Sequence, residues 1–256
     1  MRASSSCAGH VTAALANQSD FDRRLEWGAS GIEAVAGGTV VVIVDILCFS
    51  TSVEAATSRG AAVFPYRWRD LSAPEFARSV GALLADGSDP SGVSLSPATL
   101  LGLGPGDAVV LPSPNGSTCA ALAAETGADV FAACLRNAAS VGAFLRETGQ
   151  PVSLIACGER WQDSSLRPAL EDLLGAGAVL SNLEGRPSPE ARAAVAAWLD
   201  AKDSIETVLA ECVSGKQLAA NGLRDDVVYA GELDVSNVVP VLRDGAFQDA
   251  RRGTPD

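Results

Sequence analysis

Residues 40–44 read Val-Val-Val-Ile-Val, five β-branched side chains in a row, and Asp45 follows at once. A run with no polar alternation suits a strand covered on both faces, as in a parallel sheet layered with helices. Three more short runs, AVVLP (108–112), DVFAA (129–133) and VSLIA (152–156), each lead through a polar turn toward a stretch with helical character. Starts at 108, 129 and 152 lie one βα unit apart. That alternation predicts an α/β fold, three layers α/β/α around a mainly parallel or mixed sheet.

Further elements follow from the same reading. Strands are expected at 22–27 and 62–66, and helices at 31–35, 51–59 and 74–84. Residues 86–107 read as loop. Beyond Leu183 the pattern turns helical, at 189–201 and 204–213, with strands expected at 227–230 and 238–242. No break is rich enough in Pro, Ser or charge to be a linker. The expected organisation is a flexible leader (1–20), one α/β domain (21–246) whose helical part 184–225 could form a subdomain, and a frayed tail (247–256).

Composition removes whole classes of chemistry. Thirty-one acids against 19 bases give a net charge of −12. Nucleic acid and anionic membrane, which need a basic footprint, are therefore not expected partners. The single histidine, His10, lies in the Ser- and Ala-rich leader, which disfavours Ser-His-Asp and Cys-His relays and histidine-bound zinc. Six cysteines (7, 48, 119, 134, 157 and 212) show neither C-x-x-C pairing nor zinc spacing. With no signal peptide and no membrane-length apolar run, the expected compartment is the cytoplasm. The composition is compatible with a homo-oligomer.

Four apolar runs end in polar loops: DILCFSTS after Val44, SPNGST after Pro112, CLRNAAS after Ala133 and CGERWQDSS after Ala156. Loops at the carboxyl ends of neighbouring parallel strands line the ligand crevice of an open α/β sheet. If those strands are neighbours, Asp45, Ser50, Thr51, Ser52, Asn115, Ser117, Thr118, Arg136, Asn137 and Glu159 share one rim. Hydroxyls and helix N-terminal amides suit a phosphate ester, and Arg136 offers a fork for its oxygens. An acid beside a phosphate calls for a cation, and hard oxygen donors suit Mg²⁺. Asp45 is thus a metal ligand or a nucleophile. Glu171 and Asp172 are adjacent, so they serve one ion only near a helix start. Each loop also has a plain reading as capping and turn chemistry.

Common phosphoryl-transfer signatures are absent: Asp45 is followed by Ile46-Leu47 rather than D-x-D, no C-x₅-R occurs, and no P-loop is present. The segments 41–61, 111–123, 134–145 and 157–180, with a weaker match over 214–242, resemble the 2-phosphosulfolactate phosphatase family. The resemblance implies a Mg²⁺-dependent hydrolysis of 2-phosphosulfolactate or a related 2-phospho-hydroxy acid, a small anionic phosphoester. It implies Asp45, Glu171 and Asp172 as catalytic and metal-holding residues. Asn115, Gly116, Arg136 and Asn137 match further polar positions of the family pattern. With Ser50, Thr51, Ser117 and Thr118, these form the expected phosphate- and acid-binding set. One departure concerns substrate: Cys48 stands where many members carry Arg. Two alternatives remain, a non-catalytic phosphoester-binding protein and a thiol-dependent hydrolase using Cys48 or Cys157.

Overall fold

The computed structural model describes residues 16–87 and 92–252. Most of the leader, His10 and Cys7 lie outside them. The chain opens with β1 (Arg23–Trp27), α1 (Gly28–Val35), β2 (Val40–Val44), α2 (Phe49–Ser58) and β3 (Ala62–Tyr66). Next come α3 (Ala73–Ser79), β4 (Leu83–Leu84), α4 (Pro97–Leu100), β5 (Ala108–Pro112) and α5 (Gly116–Glu125). Then β6 (Val130–Ala132), α6 (Ala138–Thr148), β7 (Val152–Ala156), β8 (Glu159–Arg160), β9 (Leu166–Arg167) and α7 (Leu170–Leu180) follow. The remainder is α8 (Pro189–Ala201), α9 (Ile205–Glu211), α10 (Val213–Ala220), α11 (Arg224–Gly231), β10 (Pro240–Arg243) and β11 (Ala246–Asp249).

Nine strands form one mixed sheet in the order β1-β7-β2-β6-β10-β11-β3-β5-β4, and β8 pairs with β9 as a separate hairpin. Strand β2 lies between β7 and β6, parallel to both. At the other end β5 is parallel to β3 and β4. The β10–β11 hairpin joins these two parallel blocks, antiparallel to β6 on one side and to β3 on the other.

All five residues of β2 are buried, as an unbroken apolar run predicts. Its side chains alternate between two cores. Val40, Val42 and Val44 pack with Val141 and Leu145 of α6, Leu174 of α7 and Ala194 and Trp198 of α8. Val41 and Ile43 face Ile32 of α1, Phe49 and Val53 of α2 and Ala120 of α5. Two helical layers sandwich the sheet, so the expected three-layer α/β/α class is the observed one.

Local expectations failed in four places. The helix expected over 74–84 stops at Ser79: Gly81 takes φ +67°, and Leu83–Leu84 pair with β5. Residues 227–230, expected as a strand, belong to α11, where Asp225 and Asp226 occupy the favourable first turn and Val227 and Ala230 are buried. The helix expected over 204–213 breaks at Cys212, which caps α10 by accepting the Gly215 N–H. Finally, 246–249 lay mostly in the expected frayed tail but form β11 inside the sheet, with Phe247 fully buried.

The expectation that four site strands are neighbours also needs correction. Strands β7, β2 and β6 are adjacent, but β10, β11 and β3 separate β6 from β5. The loop after β5 nevertheless reaches β2, through α5.

Candidate active site

Asp45 follows the last residue of β2 and is buried. Its Oδ1 accepts the N–H of Phe49, the first residue of α2, at 3.2 Å. Its Oδ2 accepts the N–H of Gly116, the first residue of α5, at 3.0 Å. One carboxylate therefore caps two helix N-termini, where free amides and helix dipoles favour negative charge. The approach needs glycine: a Cβ at Gly116 would lie 2.2 Å from Cδ1 of Phe49. Burial still outweighs these amides. With Glu159 and Glu171 nearby, it pushes the Asp45 carboxyl up to about 7.

Glu171 and Asp172 sit in the first turn of α7, the one place where adjacent acids can act together. Asp172 is directed into the backbone. Its Oδ1 accepts the Ile46 N–H at 2.8 Å and its Oδ2 the Gly158 N–H at 2.8 Å. Burial, then Asp45, then Glu171 hold its carboxyl well above the usual range. Glu171 is buried as well and raises the Cys212 thiol, whose first cause of shift is burial.

A cavity of about 580 Å³ opens beside Asp45. Its deep wall is Asp45, Asn115 and Glu159, with Asn115 Nδ2 donating to Glu159 Oε1 at 2.5 Å. Arg160 Nε donates to Asn115 Oδ1 at 3.2 Å, fixing the amide from behind. Cys48, Ser94, Ser96, Ser113, Asp226, Asp86, Arg69 and Asp70 complete the polar lining. Asp226 Oδ1 accepts Ser96 Oγ at 2.6 Å, and its buried Oδ2 has no hydrogen-bond partner among the described residues. Five acids and one base line this space.

The structure thus brings together Asp45, Asn115 and Gly116 of the expected set, together with Glu159. Asp172 and Glu171 stand behind Asp45 and do not line the cavity. The hydroxyls of the set are turned to the backbone. Ser50 Oγ accepts the Asp45 N–H at 2.7 Å and donates to Ile43 O at 3.1 Å. Thr51 Oγ1 donates to Ile46 O and Ser117 Oγ to Leu111 O, both at 2.7 Å. Ser52 Oγ bonds Leu95 O, and Thr118 lines a separate, smaller cavity.

Arg136 and Asn137 do not reach this cavity either. Arg136 Nε donates to Glu54 Oε2 at 2.7 Å, its Nη1 meets Glu232, and its guanidinium lies 3.6 Å from the Tyr229 ring centre. Asn137 Oδ1 accepts the Cys134 N–H and its Nδ2 donates to Val238 O. Both tie the loop after β6 to the C-terminal segment. Glu54, Glu232 and the Tyr229 ring engage the Arg136 charge, and backbone groups engage the Asn137 amide, without a ligand.

Cys48 precedes α2, but its thiol is not activated. Burial, with Asp226, Asp45, Asp172 and Glu171 around it, pushes the thiol far up, and Cys157 is shifted the same way. The sequence reading missed Arg69, Asp70 and Asp226. Arg69 and Asp70 follow the carboxyl end of β3, so the rule applied to four loops, extended to RWRD, finds them. Asp226 was hidden by the wrong assignment of its segment to a loop before a strand.

Asp45, Glu159, Glu171 and Asp172 make no ion pair with Lys or Arg among the described residues, and their donors are all oxygen. Among the described residues no group of three or more His, Cys, Asp or Glu is placed to hold an ion. Oxygen donors of this kind suit a hard cation such as Mg²⁺, which takes one or two carboxylates and completes its shell with water and substrate phosphate.

A model of the 2-phosphosulpholactate phosphatase family matches residues 32–245. The chain belongs to that family. Its members are phosphoric monoester hydrolases by name. The chain is 28% identical over 221 residues to 2-phosphosulfolactate phosphatase of Methanothermobacter thermautotrophicus, covering 84% of this chain and 92% of that protein. It is 29% identical to a probable 2-phosphosulfolactate phosphatase of Thermus thermophilus, covering 82% and 91%. A third relative of that name, from Pseudothermotoga lettingae, is 25% identical over 84% of this chain and 94% of its own. Family membership agrees with the resemblance read from the segments 41–61 to 214–242. No helix among the described residues is long and apolar enough to cross a membrane.

Proposed function

We propose that this chain is a Mg²⁺-dependent phosphatase that hydrolyses 2-phosphosulfolactate or a related 2-phospho-hydroxy acid to the hydroxy acid and phosphate. The observation that carries the reading is Asp45, a buried carboxylate on two helix N-termini at the deep wall of an acid-lined cavity. Such a wall repels a phosphate dianion unless a cation lies between them. Asp45 with Glu159 would hold Mg²⁺, which supplies charge neutralisation of the phosphoryl oxygens when bound. Asp172 takes the orienting part, by holding Ile46 and Gly158. Asn115, steadied by Glu159 and Arg160, presents its amide to the bound phosphate. These residues position and neutralise, which is most of what phosphoryl transfer requires. The five described cysteines are all free, in keeping with a reducing, cytoplasmic setting.

Phosphate release from 2-phosphosulfolactate and 2-phospholactate, with and without Mg²⁺, tests the reading. Metal-dependent turnover that disappears in Asp45→Asn is expected. Metal-independent turnover, or full activity in Asp45→Asn, overturns it.

A further inference from the structure

The cavity beside Asp45 carries a single base. Arg69 is the one Arg or Lys among the residues lining the 580 Å³ cavity, against Asp45, Asp70, Asp86, Glu159 and Asp226. It forms no ion pair among the described residues, although Asp70 is its sequence neighbour. Asp70 turns one oxygen into its own loop, Oδ1 accepting both the N–H and the hydroxyl of Ser72. Arg69 Nε donates to Pro112 O at 2.9 Å, just before the loop that carries Asn115. That bond fixes the guanidinium against the cavity wall, while its two terminal nitrogens make no hydrogen bond among the described residues. A fork held by one nitrogen and free at the other two is preorganised for an oxyanion.

Depth separates the two ends of the cavity. Asp45 and Asn115 are buried, whereas Arg69 and Asp70 are exposed at the mouth. A ligand that holds its phosphate at Asp45 and extends toward the mouth meets Arg69, which lines the same cavity. We infer that Arg69 is the specificity-determining residue of this site, binding a second oxyanion of the substrate, a sulfonate or carboxylate, at the mouth of the cavity. This rests on the phosphatase reading of the same site and adds the residue that meets the second anionic group of such a substrate, a group that neutral alkyl phosphates lack. Cys48 and Asp226 on the intervening wall offer no positive charge for that role, and Arg160 is engaged with Asn115, Pro114 and Ser164.

The test compares the full-length wild type with Arg69→Gln and Arg69→Lys. Rates are measured with Mg²⁺ on 2-phosphosulfolactate, 2-phospholactate and isopropyl phosphate, and sulfolactate binding is followed by calorimetry. In Arg69→Gln, the preference in kcat/KM for 2-phosphosulfolactate over isopropyl phosphate is expected to fall about tenfold or more, the scale of a lost charged hydrogen-bond pair. The loss falls mainly on KM, and Arg69→Lys, which keeps charge but not the fork, lies in between. Sulfolactate, which has no phosphate, loses affinity in step. An equal loss on all three esters, or no loss of preference, overturns the inference. If the wild type hydrolyses none of the esters, the phosphatase reading fails. Calorimetry then decides the Arg69 site alone: sulfolactate binding weakened by Arg69→Gln upholds it, and unweakened or absent binding overturns it.

Discussion

Asp172 Oδ1 accepts the main-chain N–H of Ile46 at 2.8 Å, the peptide that directly follows Asp45. Its other oxygen accepts the Gly158 N–H, so one side chain fastens the ends of β2 and β7 together. Asp172 and Asp45, the acid whose charge helps raise it, are thus locked at a fixed separation by backbone. Asp172→Ala leaves two buried N–H groups unpaired and is expected to cost about 2–6 kcal/mol of unfolding free energy. Asp172→Asn, which keeps one acceptor oxygen, costs less. Urea titration followed by far-ultraviolet circular dichroism measures the difference, and an unaltered midpoint in Asp172→Ala would refute the clamp.

Asp45→Asn removes the charge but retains an oxygen for one of the two amides. Turnover of 2-phosphosulfolactate is expected to fall at least about a hundredfold, the scale of losing one electrostatic contact to the transition state. Raising Mg²⁺ does not restore it. Steady-state rates across a Mg²⁺ series provide the check.

The buried acids predict an unusual pH response of the metal-free protein. Burial raises the folded-state value of Asp45 to about 7, and it raises Asp172 and Asp226 in the same direction. A raised acid binds its proton more tightly when folded. Its stabilising contribution is whole below the unfolded-state value and is lost as pH climbs through the folded one. In chelator, the melting temperature is expected to be higher near about pH 5.5 than near about pH 8, and Asp45→Asn should flatten that slope. Differential scanning calorimetry reads both. A wild-type melting point that rises over the same range contradicts the shift.

Gly116 carries no side chain because the Phe49 ring occupies the place of its Cβ. Gly116→Ala is expected to destabilise the fold by about 1–3 kcal/mol, the usual cost of overpacking. It should also displace the amide that caps Asp45. The same substitution made in a Phe49→Leu background should cost less, and a double-mutant cycle measures the coupling. Strict additivity would show that the ring and the glycine are independent.

Part of this architecture was legible in the chain before folding. The run at 40–44 suited a strand covered on both faces, as β2 is, and three later runs repeat its logic. Asp45 at the end of β2 followed directly. The hydroxyls of Ser50, Thr51 and Ser117 were misleading because a residue type states what can bond, not to what. Near a helix start the backbone competes for them and wins. Arg136 misled for a related reason: its partners Glu54 and Glu232 lie 82 and 96 residues away in sequence. The neighbour order of the sheet was hidden altogether, since no local pattern shows that residues 240–249 intervene between β6 and β3.

That insertion has a temporal consequence. β10 and β11 are the last strands in chain order, and within the sheet they join the block holding Asp45 to the block bearing Arg69. On the ribosome each block can collapse by itself, but the seam stays open until the final hairpin emerges. Both exposed edges must avoid stray pairing until then. The cavity takes its lining from both blocks, yet the hairpin that makes the sheet continuous between them contributes none of that lining.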